Sequence, residues 1–111
     1  KASIIVDPLQ KGDEYPFKNL ATAGIVFKLT EKLLEERMSP FLRNNFLELV
    51  ALATIADMMP QKSDNLEFIS QGLISLKSTL RPSFKVLSLL EKKSFEKDIR
   101  QFAQKIISLC H

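Results

Sequence analysis

The sequence predicts a mainly helical chain, with one short strand followed by about five helices. Apolar residues recur at spacings of three and four through long stretches, which marks helices with one buried face. Glycine is scarce, with three in 111 residues. Pro40, Pro60 and Pro82 stand at the edges of the periodic runs rather than inside them, where proline starts or stops a helix. A hydrophobic fraction of 45% and a charged fraction of 26% are those of an ordinary folded domain with a single core.

Residues 2–6 (A-S-I-I-V) are β-favouring and end at Asp7-Pro8, so they predict a strand. That strand needs a neighbouring ladder. Residues 9–17 hold Gly12, Asp13 and Pro16 and read as a loop. Asn19 is placed to cap a helix running to about Arg37. The first half of that helix, from Leu20 to Phe27, is apolar nearly all round, which predicts burial on several sides, and Gly24 within it predicts close packing. Ser39-Pro40 starts a second helix to about Met58, with Leu42, Phe46, Leu49, Val50 and Ala53 as its apolar stripe. Asp64 and Glu67 have capping-box spacing, ahead of a stripe of Leu66, Ile69, Leu73, Leu76 and Leu80. Pro82 opens a fourth helix with Phe84, Leu87 and Leu90 inward. Ser94 caps a fifth with Phe95, Ile99, Phe102, Ile106 and Leu109 inward.

Most chemistry is excluded by residue type. The one histidine is His111, at the end of the chain, so no histidine cluster or triad forms. Cys110 is the one cysteine and has no internal disulfide partner, in keeping with a reducing cytoplasm. No Gly-rich phosphate loop is present. No apolar run approaches the roughly 20 residues that span a bilayer, and no leader pattern opens the chain. The first residue, Lys1, is not Met, as expected of a processed chain or a piece of a longer one. A net charge of +3 permits a nucleic-acid partner without arguing for one.

Asp57 is the exception. It continues the apolar stripe of the second helix, so its carboxylate is expected to face inward, near a helix C-terminus whose dipole disfavours it. Both penalties call for a cation beside it, a metal ion or an Arg/Lys; fraying of the helix after Ala56 would relieve both. Lys11, Lys18, Lys28 and Lys32 are candidate phosphate contacts, each also readable as part of a solvated face. Tyr15 and Phe17 are candidate base-stacking residues, or anchors of their loop on the core.

From Tyr15-Pro16-Phe17-Lys18-Asn19-Leu20-Ala21 through Gly24 to Phe27-Lys28-Leu29 the sequence resembles RecJ-type single-stranded-DNA exonucleases of the DHH phosphoesterase superfamily. They carry a Y-P-F-K-x-L-A-G-x-G-x-x-F-K-L-like segment there. Leu49-Val50-Ala51-Leu52-Ala53-Thr54-Ile55-Ala56-Asp57 resembles their L-V-A-L-G-T-x-A-D block. Asn65 with Gln71-Gly72-Leu73 is similar to E-N-R … G-L, and Arg81-Pro82 with Leu87 to R-P-G-x-x-x-L. The resemblance covers about residues 2–90, in order and spacing. Thr22, Ala53 and Ser83 stand where the family has glycine, and Leu66 where it has the Arg of E-N-R. Gln104-Lys105-Ile106-Ile107-Ser108 matches the family's P-R-I-N-A-A-G-R block poorly.

The resemblance implies that residues 1–111 are a C-terminal portion of an α/β DHH catalytic domain, with the sheet and the earlier metal motifs upstream. It implies a cytoplasmic, two-metal exonuclease using Mn or Mg, degrading single-stranded DNA from the 5′ end in repair and recombination. Asp57 falls on the family's last metal-binding aspartate. No catalytic residue is assigned within the chain, and a single carboxylate cannot hold a metal pair, so the chain alone is expected to be inactive. Two other readings stay open: a DHH phosphoesterase acting on short oligonucleotides or nucleotides, and a non-catalytic helical scaffold in which Asp57 is structural.

Overall fold

A computed structural model describes residues 2–90 and 99–110. Its helices are α1 (Thr22–Leu34), α2 (Pro40–Ala56), α3 (Ser63–Lys77), α4 (Pro82–Leu90) and α5 (Ile99–Cys110), with a short 3₁₀ turn, Glu35–Arg37, after α1. The helical class holds. The expected strand does not form, and no strand occurs among the described residues. Ile4, Ile5 and Val6 lie exposed, because no second segment offers a ladder to pair with.

Helix α2 is the centre. Ser39 caps it, its hydroxyl accepting from the Leu42 N–H at 3.2 Å, and Pro40 sits in the first turn where no hydrogen bond is lost. Leu47, Val50, Ala51 and Leu52 are buried on more than one side of it, whereas Leu49, expected inward, is exposed. On one flank Leu47 and Val50 pack with Leu20, Phe27 and Phe68. The Phe27 and Phe68 rings meet edge to face at 5.4 Å. On the other flank Leu52 packs with Ile69, Leu73, Leu76, Phe84, Ala103 and Ile106, which joins α3, α4 and α5 to α2.

Helix α3 lies against α2 with almost nothing between the backbones at Gly72. A Cβ there would overlap the Leu47 carbonyl oxygen and the Ala51 methyl. Gly24 is the looser case, its missing Cβ meeting Leu20 and Phe68 side chains at 3.4 Å. The sequence singled out Gly24 for close packing, and the tighter contact belongs to Gly72.

Further expectations change. Asn19 does not cap α1. Leu20 and Ala21 are drawn into the core, so the helix starts at Thr22 without a side-chain cap. Helix α1 is also not buried all round: Gly24 and Phe27 are buried, while Val26, Leu29 and Leu33 are exposed along one stripe. Asp64 does not cap α3, which begins one residue earlier, at Ser63. Within the predicted α3 stripe Ile69, Leu73 and Leu76 are buried, but Leu66 and Leu80 are exposed. In the last helix Ile106 is buried and Leu109 exposed; Ser94 and Phe95 lie outside the described residues.

Asp64 is used elsewhere. Its carboxylate accepts from the Tyr15 hydroxyl at 2.5 Å and pairs with Lys28 at 3.4 Å, and the Lys28 ammonium lies 5.4 Å from the Tyr15 and Phe68 ring centres. This triad ties the N-terminal loop to α1 and α3. Burial, then the bond to Asp64, pushes the Tyr15 hydroxyl above its ordinary value of 10.0. Burial works against the charge on Lys28, but Tyr15 and Asp64 outweigh it and raise Lys28 above 10.5.

Two predictions follow from this packing. Gly72→Ala should destabilise the chain by about 1–3 kcal/mol, because overpacking outweighs the roughly 1 kcal/mol of helix propensity that alanine gains. Gly24→Ala should be close to neutral. Urea unfolding of the two variants tests the ordering, and an equal response would contradict it. The second concerns pH. Both Tyr15 and Lys28 are raised, so the fold favours their protonated forms. Their contribution is intact below the ordinary values and lost as pH rises through the folded ones. Tyr15 is the only tyrosine and there is no tryptophan, so phenolate absorbance reports this residue alone. Its midpoint should lie above 10.0 in the folded chain and fall toward 10.0 in Asp64→Asn.

Candidate functional site

The turn between α2 and α3 carries Asp57. Helix α2 ends there in a Schellman arrangement: the Met58 N–H donates to the Ile55 carbonyl at 3.0 Å and the Met59 N–H to the Thr54 carbonyl at 3.2 Å. The residue after the helix cap must then turn left-handed, a place usually filled by glycine. Here it is Met58, with φ 50° and a side chain 89% exposed. Such a conformation costs roughly 1–2 kcal/mol in a non-glycine residue.

Asp57 does not face the core. It is the C-cap of α2, exposed, because the helix stops at Ala56 and nothing described covers that end. Its backbone N–H donates to Ala53 at 2.9 Å. Among the described residues its carboxylate has no hydrogen bond and no ion pair with an Arg or Lys. The helix end at Ala56 leaves Asp57 in solvent, which is the alternative the sequence offered, and the packing reason for a cation beside it falls away. Nor does any group of three or more His, Cys, Asp or Glu suited to a metal ion occur among the described residues. An exposed carboxylate with free oxygens, fixed on a rigid helix end, fits one ligand of a hard divalent ion and no more.

Behind the turn sits Asn65, in the first turn of α3 and 0% exposed. Its amide nitrogen donates to the Asn19 carbonyl at 2.7 Å and to the Pro60 carbonyl at 3.0 Å. Its amide oxygen is buried without a partner, a state that costs about 1–3 kcal/mol for a polar group. Asn65 entered the sequence reading only through its resemblance to E-N-R; nothing in its spacing pointed to burial.

Sequence reasoning missed Glu48 altogether. It lies mid-α2 and is 2% exposed. One carboxylate oxygen accepts from the Ser75 hydroxyl at 2.8 Å and the other from Thr79 at 2.8 Å. Arg81 Nε approaches that second oxygen at 3.4 Å, a charge contact rather than a hydrogen bond, while Arg81 Nη2 donates to the Asn45 carbonyl at 2.8 Å. The group is satisfied from within the fold and reads as structural. The one sequence signal was a Glu inside an apolar run.

The candidate nucleic-acid residues are mostly engaged. Lys18 donates to Asp13, at the carbonyl (2.8 Å) and the carboxylate (2.9 Å), and that bond, with the Tyr15 N–H, holds the Asp13 carboxyl below its ordinary value. Lys28 belongs to Asp64 and Lys32 to Glu35. Tyr15 and Phe17 pack against the core as anchors of their loop. Lys11 is exposed. A groove of about 370 Å³ between α2, α4 and α5 is apolar apart from Arg81 and Ser83, and holds no pair of groups suited to bond breaking.

No protein-family model and no solved structure matches the chain. Two relatives do. The chain is 42% identical over 83 residues to the single-stranded-DNA-specific exonuclease RecJ of Bacillus subtilis (strain 168), a match covering 75% of the chain and 10% of that protein. It is 32% identical over 97 residues to the single-stranded-DNA-specific exonuclease RecJ of Salmonella typhimurium, covering 78% of the chain and 17% of that protein. The chain thus spans a small part of the length of the relatives it matches. With likeness of this degree to two such exonucleases, the chain is a RecJ-type stretch of polypeptide and belongs to that family.

Proposed function

We propose that the chain is the C-terminal portion of a DHH catalytic domain in a cytoplasmic, metal-dependent exonuclease. The enzyme degrades single-stranded DNA from its 5′ end in repair and recombination, and Asp57 supplies one carboxylate to its metal site. The observation that carries this reading is the state of Asp57. It is held on the rigid end of the central helix, yet its charge has no ion-pair or hydrogen-bond partner among the described residues. A structural ion pair, the rival reading, needs a partner that the described residues do not offer. No helix of the described residues is long and apolar enough to cross a membrane.

In this reading Asp57 binds one of two Mn or Mg ions through its carboxylate, and the other ligands come from elsewhere in the protein. When bound, such ions activate water and stabilise the leaving oxygen of an in-line displacement. The chain's own part is to hold Asp57 still. The stripe of Val26, Leu29 and Leu33 then packs on the remainder of the catalytic domain.

Three outcomes test the reading. The isolated chain with Mn²⁺ and labelled single-stranded DNA should degrade no more than its Asp57→Ala variant, and Asp57-dependent cleavage would contradict it. In the whole protein, Asp57→Asn should abolish Mn²⁺-dependent degradation, while metal-free thermal stability holds or rises by a few tenths of a kcal/mol, since a negative charge leaves a helix C-terminus. A large loss of metal-free stability would instead mark Asp57 as structural. The isolated chain, with that stripe uncovered, should self-associate at about 100 μM. Sedimentation as a clean monomer would count against a missing partner surface.

A further inference from the structure

Asn65 joins three parts of the chain: the loop before α1 at Asn19, the α2–α3 turn at Pro60, and the first turn of α3 on which it stands. Pro60 is three residues from Asp57, and the path between them runs through the left-handed Met58. A strained turn of this kind persists only where its surroundings hold it. The Pro60 carbonyl accepts twice, from the Lys62 N–H at 2.9 Å and from Asn65 at 3.0 Å. The fit is imperfect, because the amide oxygen is buried and unpaired. An apolar side chain would avoid that penalty but would take a donor from each of the Asn19 and Pro60 carbonyls. What only an amide provides is two hydrogens aimed at two backbone carbonyls. We propose that Asn65 is a positioning residue for Asp57, clamping the α2–α3 turn to the base of α1 so that the Asp57 carboxylate is presented in one orientation to a divalent cation.

This rests on the reading of Asp57 as a metal ligand. Loss of a partner that orients a ligand typically weakens metal binding about 10- to 100-fold.

The test is Mn²⁺ affinity of the whole protein by calorimetry, without DNA, for the parent, Asp57→Asn, Asn65→Ala and Asn65→Ser, with exonuclease rate against Mn²⁺ concentration beside it. Asp57→Asn should lose a Mn²⁺ site. Asn65→Ala should bind Mn²⁺ about tenfold more weakly, with its rate recovering at saturating Mn²⁺; Asn65→Ser, which keeps one donor, should fall between it and the parent. A purely structural role would lower the amount of active protein equally at every Mn²⁺ concentration. Parent-like Mn²⁺ affinity in both Asn65 variants, with Asp57→Asn impaired, overturns the positioning role and leaves the Asp57 reading standing. Parent-like affinity in Asp57→Asn overturns both. If Asn65→Ala does not fold, Asn65→Ser decides, and if neither folds, Asn65 is structural and the proposal falls.

Discussion

Where α3 crosses α2, Gly72 brings the two backbones together so closely that no side chain fits between them. A contact of that kind sets the separation of the helices along their whole shared length, because both are stiff. Residues on the same face of α3, three or four positions apart, then fall at fixed distances from α2 and its ends. Ile69 and Leu76 flank the glycine and fill the apolar core. Ser75 and Thr79, further on, arrive within hydrogen-bond reach of Glu48. Asn65, two turns back, arrives beneath the turn that ends α2. A side chain at position 72 would move both polar ends of the stripe away from their partners at once.

The Glu48 group shows what such closeness makes necessary. A carboxylate buried beside apolar side chains is strongly unfavourable unless its oxygens are satisfied, and leaving a buried charge unpaired costs about 3–5 kcal/mol. The Ser75 hydroxyl from α3, the Thr79 hydroxyl just beyond it and the side chain of Arg81 supply that satisfaction. Arg81 also reaches the Asn45 carbonyl, so the residue just before α4 is fixed to α2. On the opposite flank Arg43 does similar work at the half-exposed surface, bonding Glu31 of α1 at 2.7 Å and Gln71 of α3 at 2.6 Å. Charged groups thus stitch α2 to its neighbours on either side of the apolar contacts.

How much of this was legible follows from the range of each interaction. Ser39-Pro40 fixed the start of α2 because a cap and a proline act within one turn, and Pro82 opened α4 for the same reason. The apolar middle of α3 was legible as Ile69, Leu73 and Leu76. Its ends were not, since counting only apolar residues chose Leu66 and Leu80, while the buried positions are Asn65 and Thr79. Their partners lie tens of positions away in sequence: 46 residues for Asn65 with Asn19, 31 for Thr79 with Glu48. Asp64 failed as a cap for a similar reason, one of its oxygens being claimed by Tyr15, 49 residues distant. The strand at residues 2–6 was misread because strand propensity acts only through a neighbour. Asp57 was singled out by its place on the apolar stripe and by the family blocks, but the stripe placed it inward and the structure leaves it exposed, because its orientation depends on where the helix stops.

The two polar ends of the α3 stripe differ in where their carboxylates lie, although each leaves one buried polar atom without a hydrogen bond. At the Glu48 end each carboxylate oxygen has a hydroxyl donor and one of them a nearby guanidinium, as expected of a group whose task is to hold helices together. At the Asn65 end one amide oxygen is left unpaired, the adjoining turn contains a methionine in a glycine's conformation, and the carboxylate at its start has no partner among the described residues. Three local departures from best stability lie within nine residues, and a glycine at position 58 would relieve one of them. Strain and unpaired polar groups gather where a protein holds groups for chemistry rather than for folding. The same helix pair therefore carries a buried carboxylate held by two hydroxyls at one end and an exposed carboxylate at the other. Among the described residues, the exposed end is where the RecJ-type chain places its one aspartate whose carboxylate has neither a hydrogen bond nor an ion pair.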